Sequence, residues 1–215
     1  MIVRVADAAK RALDQVIVAT DDARIAEVVE AAGHTVKMTP ASCPSGTDRM
    51  AIALSGIDFD LAVNVQGDEP LIDPDDIRAV IDGMRASGAP MGTLSRPLDR
   101  ERFSDLNLVK VVTDRDNRAL YFSRAPIAPD VARLHVGLYA FTAKGLSAFT
   151  ALEPSPLEKS ERLEQLRALE NGISIHVASA RSPHPSIAID TPEDVARVLA
   201  VLDDPQDPRS THAAR

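Results

Sequence analysis

The stretch LAVNVQGDEPLI at 61–72 places two carboxylates, Asp68 and Glu69, where a β-branched apolar run stops. Acids follow strand-like runs elsewhere too. Asp190 comes after Ile187-Ala188-Ile189, and Asp21 and Asp22 come after a run ending in Thr20. Two separated carboxylates at strand ends suit one Mg²⁺, a hard cation that takes oxygen ligands and shares them with substrate phosphates. The competing reading of each acid is a turn or the start of a helix.

Other residues offer weaker chemistry. Pro44-Ser45-Gly46-Thr47-Asp48-Arg49 is a Gly-containing loop opening a helix, and its amides suit an anion or a polar ring. Lys110 interrupts the apolar run Val109, Val111, Val112, and Arg124 ends another run. A cation in a strand either snorkels to the edge or faces a polar pocket, and nothing local favours the pocket. His135 and Tyr139 lie four apart, on one face of a strand. His34, His176, His184 and His212 lack metal-ligand spacing, and Cys43 is the single cysteine. No intrachain disulfide is possible, which fits a cytoplasmic location. There is no GxGxxG after a strand, no GxxxxGK[ST], no HExxH and no GxSxG.

The elements that must hold these residues follow from apolar periodicity. Strands are predicted at 15–20, 35–39, 61–67, 91–98, 108–114, 119–125, 135–142 and 174–180. Helices are predicted at 21–33, 47–56, 73–88, 156–172 and 191–204. In the helix 21–33, Ile25, Val28, Val29 and Ala32 read as the buried face. In the helix 156–172, Leu163, Leu166 and Leu169 form the apolar stripe, with Glu158, Glu161 and Gln165 on another flank. Asp114-Arg115-Asp116-Asn117 reads as the turn of an antiparallel excursion. Three helices start alike, at Asp73-Pro74, Ser155-Pro156 and Thr191-Pro192, with an acid three residues after the capping residue. This makes Asp76, Glu158 and Asp194 capping acids. Alternating strands and helices imply an α/β fold, with a mostly parallel sheet and helices on both faces. No linker cuts the chain, so residues 1–204 read as one domain and 205–215 as a flexible tail.

Composition narrows the function. The 215 residues are 45% hydrophobic but only 3% aromatic, so the core must be mainly aliphatic. A net charge of −8 argues against nucleic acid and anionic membranes as partners. No apolar run approaches the ~20 residues of a membrane span, and no signal peptide is legible.

The segments PSGTDR, VNVQGDEP, NLVKVV, ALYFSR, HVGLYAF, PSPLEKSERLEQLRALENG and IDTPEDV, in this order, resemble the 3-deoxy-manno-octulosonate cytidylyltransferases (CMP-KDO synthetases). The resemblance runs from the first residue to about Leu202. It implies a single-domain, Rossmann-like nucleotidyltransferase with a small excursion for dimerisation. It also implies a cytoplasmic, Mg²⁺-dependent homodimer that joins CTP and the acid sugar KDO into CMP-KDO and pyrophosphate, for lipopolysaccharide assembly. Matched by motif, Asp68 and Asp190 become the Mg²⁺ pair, and Ser45, Gly46 and Arg49 meet the nucleotide. Gln66, Arg124, His135, Tyr139, Glu161 and Gln165 line the sugar site, with Arg124 facing the sugar carboxylate. A nucleotidyltransferase for another sugar acid is the alternative, as is a non-catalytic dimerisation or sugar-binding module.

The resemblance has two departures: the excursion between Ala128 and His135 is shorter than usual, and the N-terminus differs. Members open with a strand and a loop resembling PARxxSxRLPGKPL, and MIVRVADAAKRAL resembles the helix that follows it. The chain as written is therefore expected to lack a central strand and the phosphate-binding cations, to bind CTP weakly and to be less stable. An internal methionine taken as the start is the favoured explanation, because the remaining site residues are intact. A truly truncated gene is the other.

Overall fold

The computed structural model describes residues 1–210. Chain contacts divide them into two compact units. The first comprises Met1–Ser55, Val65–Arg78 and the described residues from Ser182 onward; the second comprises Gly56–Asn64 and Ala79–Arg181. One of the chain crossings, between Arg78 and Ala79, falls inside a helix. Among the described residues no helix is long and apolar enough to cross a membrane.

In the first unit, α1 (Ile2–Lys10) precedes a βαβ element. Strands β1 (Ile17–Thr20) and β2 (Thr35–Met38) pair in parallel, Ile17 opposite Thr35, with α2 (Ala23–Ala31) between them. Their core is Ala6, Val18 and Val29, with Ile2, Val16 and Val36 against it. The expected face of α2 is corrected here. Val29 is 0% exposed and Ala26 is buried beside it, whereas Val28 is 55% exposed and Ile25 is also exposed. With only two short strands to cover, α2 buries a narrow stripe of residues three apart. The apolar character of Val28 does not bring it inside. Helix α3 (Gly46–Ala53) follows the Ser45 loop, and α8 (Pro192–Asp203) closes the unit.

The second unit carries a six-stranded sheet. Its strands are β3 (Leu61–Asn64), β4 (Met91–Arg96), β5 (Lys110–Thr113), β6 (Ala119–Ser123), β7 (Arg133–Thr142) and β8 (Ile175–Ser179). The order is β6-β5-β7-β4-β8, and β3 also pairs with β7. The sheet is mixed: β4 and β8 run parallel, and the other pairings are antiparallel. The ten-residue β7 organises it, with β4 along one edge and β5 and β3 sharing the other. The expected hairpin is present as β5–β6, with Asn117 at φ 59° in its turn. Phe122, Phe141 and Phe149 are fully buried, so aromatics supply more of this core than their share of the chain suggests.

Helix α4 (Pro74–Ser87) leads to β4, and α5 (Ala143–Thr150), which the sequence did not reveal, follows β7 with Thr142 as its cap. The single helix expected over 156–172 is two helices, α6 (Pro156–Glu161) and α7 (Gln165–Glu170). Arg162 breaks it in the left-handed conformation, φ 56° and ψ 48°. The amide of Leu163 reaches back to the carbonyl of Glu158 at 3.2 Å, the long closing bond of a helix end. The capping acids hold at α6 and α8, where both capping boxes are complete. At α4 the Asp73 carboxylate accepts from the amide of Asp75 at 2.8 Å, while Asp76 accepts from the amide of Ser182 at 2.9 Å.

Candidate functional site

The expected site residues fall in both units, and each set is described within its own unit. In the first unit, β1 leads into Asp21 and Asp22. Asp22 caps α2, and its bonds from Arg24 bring its carboxyl down to about 2. Asp21 faces Arg49 at 3.5 Å, and Arg49 also donates to the Thr39 hydroxyl at 2.5 Å. Ser45 caps α3 by accepting from the Asp48 amide, and its hydroxyl donates to the Asp48 carboxylate at 2.8 Å. Gly46 is the first residue of that helix. The first turn of α3, from Ser45 to Arg49, is thus tied at both ends.

Gln66, Asp68 and Glu69 lie just beyond β3 in a turn in which the Glu69 amide donates to the Gln66 carbonyl. The amide of Ile189 donates to the carbonyl of Asp68 at 2.9 Å. That bond sets the segment carrying Asp190 beside the one carrying Asp68. The two side chains differ. Asp190 is exposed, while Asp68 is half-buried and its Oδ1 is buried without a hydrogen-bond partner. A buried carboxylate oxygen left unpaired is costly unless a cation or donor completes it. Among the described residues no three His, Cys, Asp or Glu side chains cluster as a metal cage. Two carboxylates with substrate oxygens filling the remaining positions is an arrangement that suits a hard divalent cation.

The second unit holds Arg124, His135, Tyr139, Glu161 and Gln165. His135 and Tyr139 are four apart on β7. On a regular strand they would stand about 13 Å apart. Their ring centroids are 5.6 Å apart. The cause is a register break: Thr93 pairs with Tyr139 but Leu94 pairs with Val136, so Gly137 and Leu138 bulge out of β7. Thr93 fills the bend. Its hydroxyl lies 2.9 Å from the Leu138 carbonyl and 2.9 Å from His135 Nε2. A hydroxyl has one proton, so giving it to the carbonyl leaves Thr93 accepting from His135 Nε2–H. Burial pushes the His135 pKa down to about 3, which keeps the ring neutral. Phe122 meets it edge-on at 5.1 Å.

The Tyr139 hydroxyl donates to Gln165 Oε1 at 3.0 Å. Burial, then the charge of Glu164, raises the Tyr139 pKa, so the phenol stays protonated. Gln165 is 2% exposed and its Nε2 has no partner. The break at Arg162 corrects the shared flank expected for Glu158, Glu161 and Gln165. Glu158 pairs with Arg167 at 2.5 Å, and Arg167 stacks over Phe149 at 4.9 Å. Glu161 instead accepts from the Ser123 hydroxyl and the Arg124 amide, both at 3.2 Å.

Lys110 does not snorkel. Its ammonium is buried and donates to the carbonyls of Asp105, Leu108 and Arg124 at 2.6, 2.9 and 2.7 Å. Burial lowers its pKa. The sequence flagged Lys110 by its apolar neighbours, but its partners are carbonyls that no sequence pattern marks. Thr93 and Ser123 gave no signal of their own.

Comparison with known proteins completes the description. A cytidylyltransferase family model matches residues 1–175. A 3-deoxy-manno-octulosonate cytidylyltransferase of Anaeromyxobacter sp. (strain Fw109-5) is 50% identical over 214 residues, covering 94% of this chain and 86% of that protein. That of Syntrophotalea carbinolica is 49% identical over 207 residues, covering 88% and 82%. A solved CMP:2-keto-3-deoxy-manno-octonic acid synthetase in complex with CTP superposes with a TM-score of 0.84 at 34% identity, covering 93% of this chain and 87% of that one. A putative glucose-1-phosphate thymidylyltransferase from Bacillus anthracis, at 16% identity and a TM-score of 0.65, shares the fold. The chain belongs to the 3-deoxy-manno-octulosonate cytidylyltransferase family.

Proposed function

We propose that this cytidylyltransferase joins CTP and KDO, giving CMP-KDO and pyrophosphate. The anomeric hydroxyl of the sugar attacks the α-phosphorus, the bond to pyrophosphate breaks, and the hydroxyl proton passes to solvent. Such transfer depends on positioning and charge stabilisation and needs no covalent nucleophile. The observation that carries the reading is Gln165, a buried amide whose oxygen is held by Tyr139 and whose nitrogen has no partner. A polyhydroxylated acid supplies the oxygen that this donor lacks.

Each remaining residue has a part. Arg124 receives the sugar carboxylate, since a guanidinium binds it through two parallel hydrogen bonds. His135, kept neutral, and Tyr139, kept protonated, present uncharged hydrogen-bonding groups to sugar hydroxyls. Gln165 offers its amide to the sugar as well, and Gln66, in the first unit, is assigned to the same substrate. The Ser45–Gly46 turn and Arg49 serve the nucleotide. Asp68 and Asp190 hold Mg²⁺, which when bound neutralises charge on the α-phosphate; the unpaired Asp68 Oδ1 supports this assignment. The enzyme works as a cytoplasmic homodimer supplying lipopolysaccharide assembly.

A pyrophosphate-release assay with CTP, Mg²⁺ and a panel of sugar acids tests the reading. Release with KDO is expected. Release with another sugar acid and none with KDO would replace the substrate, while KDO binding by calorimetry without any CTP–Mg²⁺ binding would favour a sugar-binding module.

A further inference from the structure

The carboxylate of Glu161 and the ammonium of Lys110 are both engaged within the second unit, next to Arg124. Each has one bond to the backbone of Arg124. Lys110 lies directly opposite Ser123 in the β5–β6 register. Its Nζ has three protons, and three carbonyls take them: Asp105, Leu108 and Arg124. Glu161, the last residue of α6, takes the amide of Arg124 at 3.2 Å, the hydroxyl of Ser123 at 3.2 Å from each of its oxygens, and the hydroxyl of Tyr121 at 3.5 Å. So the peptide groups on both sides of the Arg124 α-carbon are held, the N–H by an anion and the C=O by a cation.

The side chain of Arg124 is treated differently. Among the described residues its guanidinium makes one hydrogen bond, to the carbonyl of Asn107 at 3.4 Å. Asn107 sits in the 105–108 turn, whose carbonyls at both ends Lys110 holds. One buried ammonium therefore fixes the base of Arg124 and the turn against which its fork rests. A side chain fixed at its root and weakly held at its tip is prepared for a ligand at little cost in conformational freedom.

We propose that Lys110 and Glu161 are positioning residues that fix the Arg124 backbone from both sides and thereby aim its guanidinium at the carboxylate of the acid-sugar substrate. The proposal rests on the reading of Arg124 given above, and the test separates the two. Calorimetric titration with KDO compares the wild-type chain with Arg124→Ala, Glu161→Ala, Glu161→Gln, Lys110→Met and the double variant Arg124→Ala/Glu161→Ala.

Arg124→Ala and Glu161→Ala are each expected to weaken KDO binding about tenfold. The double variant should bind no worse than Arg124→Ala alone, because a positioning Glu161 reaches KDO through Arg124 and not through its bonds to Ser123 and Tyr121. Glu161→Gln keeps an oxygen for the Arg124 amide and should stay within about threefold of wild type. Lys110→Met strands three carbonyls; where it folds it should match Glu161→Ala, and where it does not, the Glu161 variants carry the test by themselves. A lowered melting temperature for Glu161→Ala with unchanged KDO affinity overturns the proposal, as does full additivity in the double variant. If Arg124→Ala binds KDO like wild type, the reading of Arg124 itself fails and the positioning pair falls with it.

Discussion

The two units solve opposite electrostatic problems. In the second unit nearly every polar site group already has a protein partner: Tyr139 with Gln165, His135 with Thr93, Glu161 with Ser123 and Arg124, and Lys110 with three carbonyls. In the first, Asp190 is exposed and Asp68 Oδ1 is buried without a partner. Sugar hydroxyls are recognised by donors and acceptors set in advance, and their geometry must be held by a network. A phosphate–metal complex is recognised by charge that the protein must leave unneutralised until it arrives. That difference separates residues whose loss costs stability from those whose loss costs activity.

Five substitutions test that division, from the largest expected effect. Asp68→Asn should lower kcat/KM by about a thousandfold without lowering the melting temperature, because it removes an unpaired charge. A loss of stability would place Asp68 in the structural class. Arg167→Met in the second unit should do the reverse. It leaves Glu158 without its ion pair and should cost about 3 kcal/mol in urea denaturation.

His135 gives a pH signature confined to the second unit. Its folded pKa, about 3, lies below the ordinary 6.5, so below pH 6.5 the unfolded chain binds a proton that the folded chain refuses. The stability this group contributes is complete above pH 6.5 and is lost as pH falls toward 3. Between pH 6.5 and 5 the loss is about 2 kcal/mol. His135→Gln should flatten that part of the stability profile, and an unchanged profile would refute the assignment. Tyr139→Phe leaves Gln165 Oε1 without its donor and should cost about 1 kcal/mol in thermal denaturation. Val28→Ser, on the outward face of α2, should change stability by less than about 0.5 kcal/mol. A large loss would restore the face read from periodicity.

The sequence alone carried the local features. The β5–β6 hairpin, the capping boxes of α6 and α8, and the parallel βαβ element of the first unit were legible because each depends on residues close together in the chain. Asp68 and Asp190 stood out in the sequence because each follows an apolar run and both segments match family motifs; residues 187–189 form no strand, and the bond from the Ile189 amide to the Asp68 carbonyl is what sets the two segments side by side. Three things needed the tertiary structure. The break at Arg162 overrides an unbroken run of helix formers, and it sends Glu158, Glu161 and Gln165 to different partners. The bulge at Gly137 and Leu138 brings His135 and Tyr139 together, because the β7–β4 pairing has two residues too many. Lys110 is held by carbonyls at 105, 108 and 124, and every residue type offers a carbonyl. Backbone acceptors and register breaks leave no mark on residue identity. Only the folded chain decides which of them a buried charge will find.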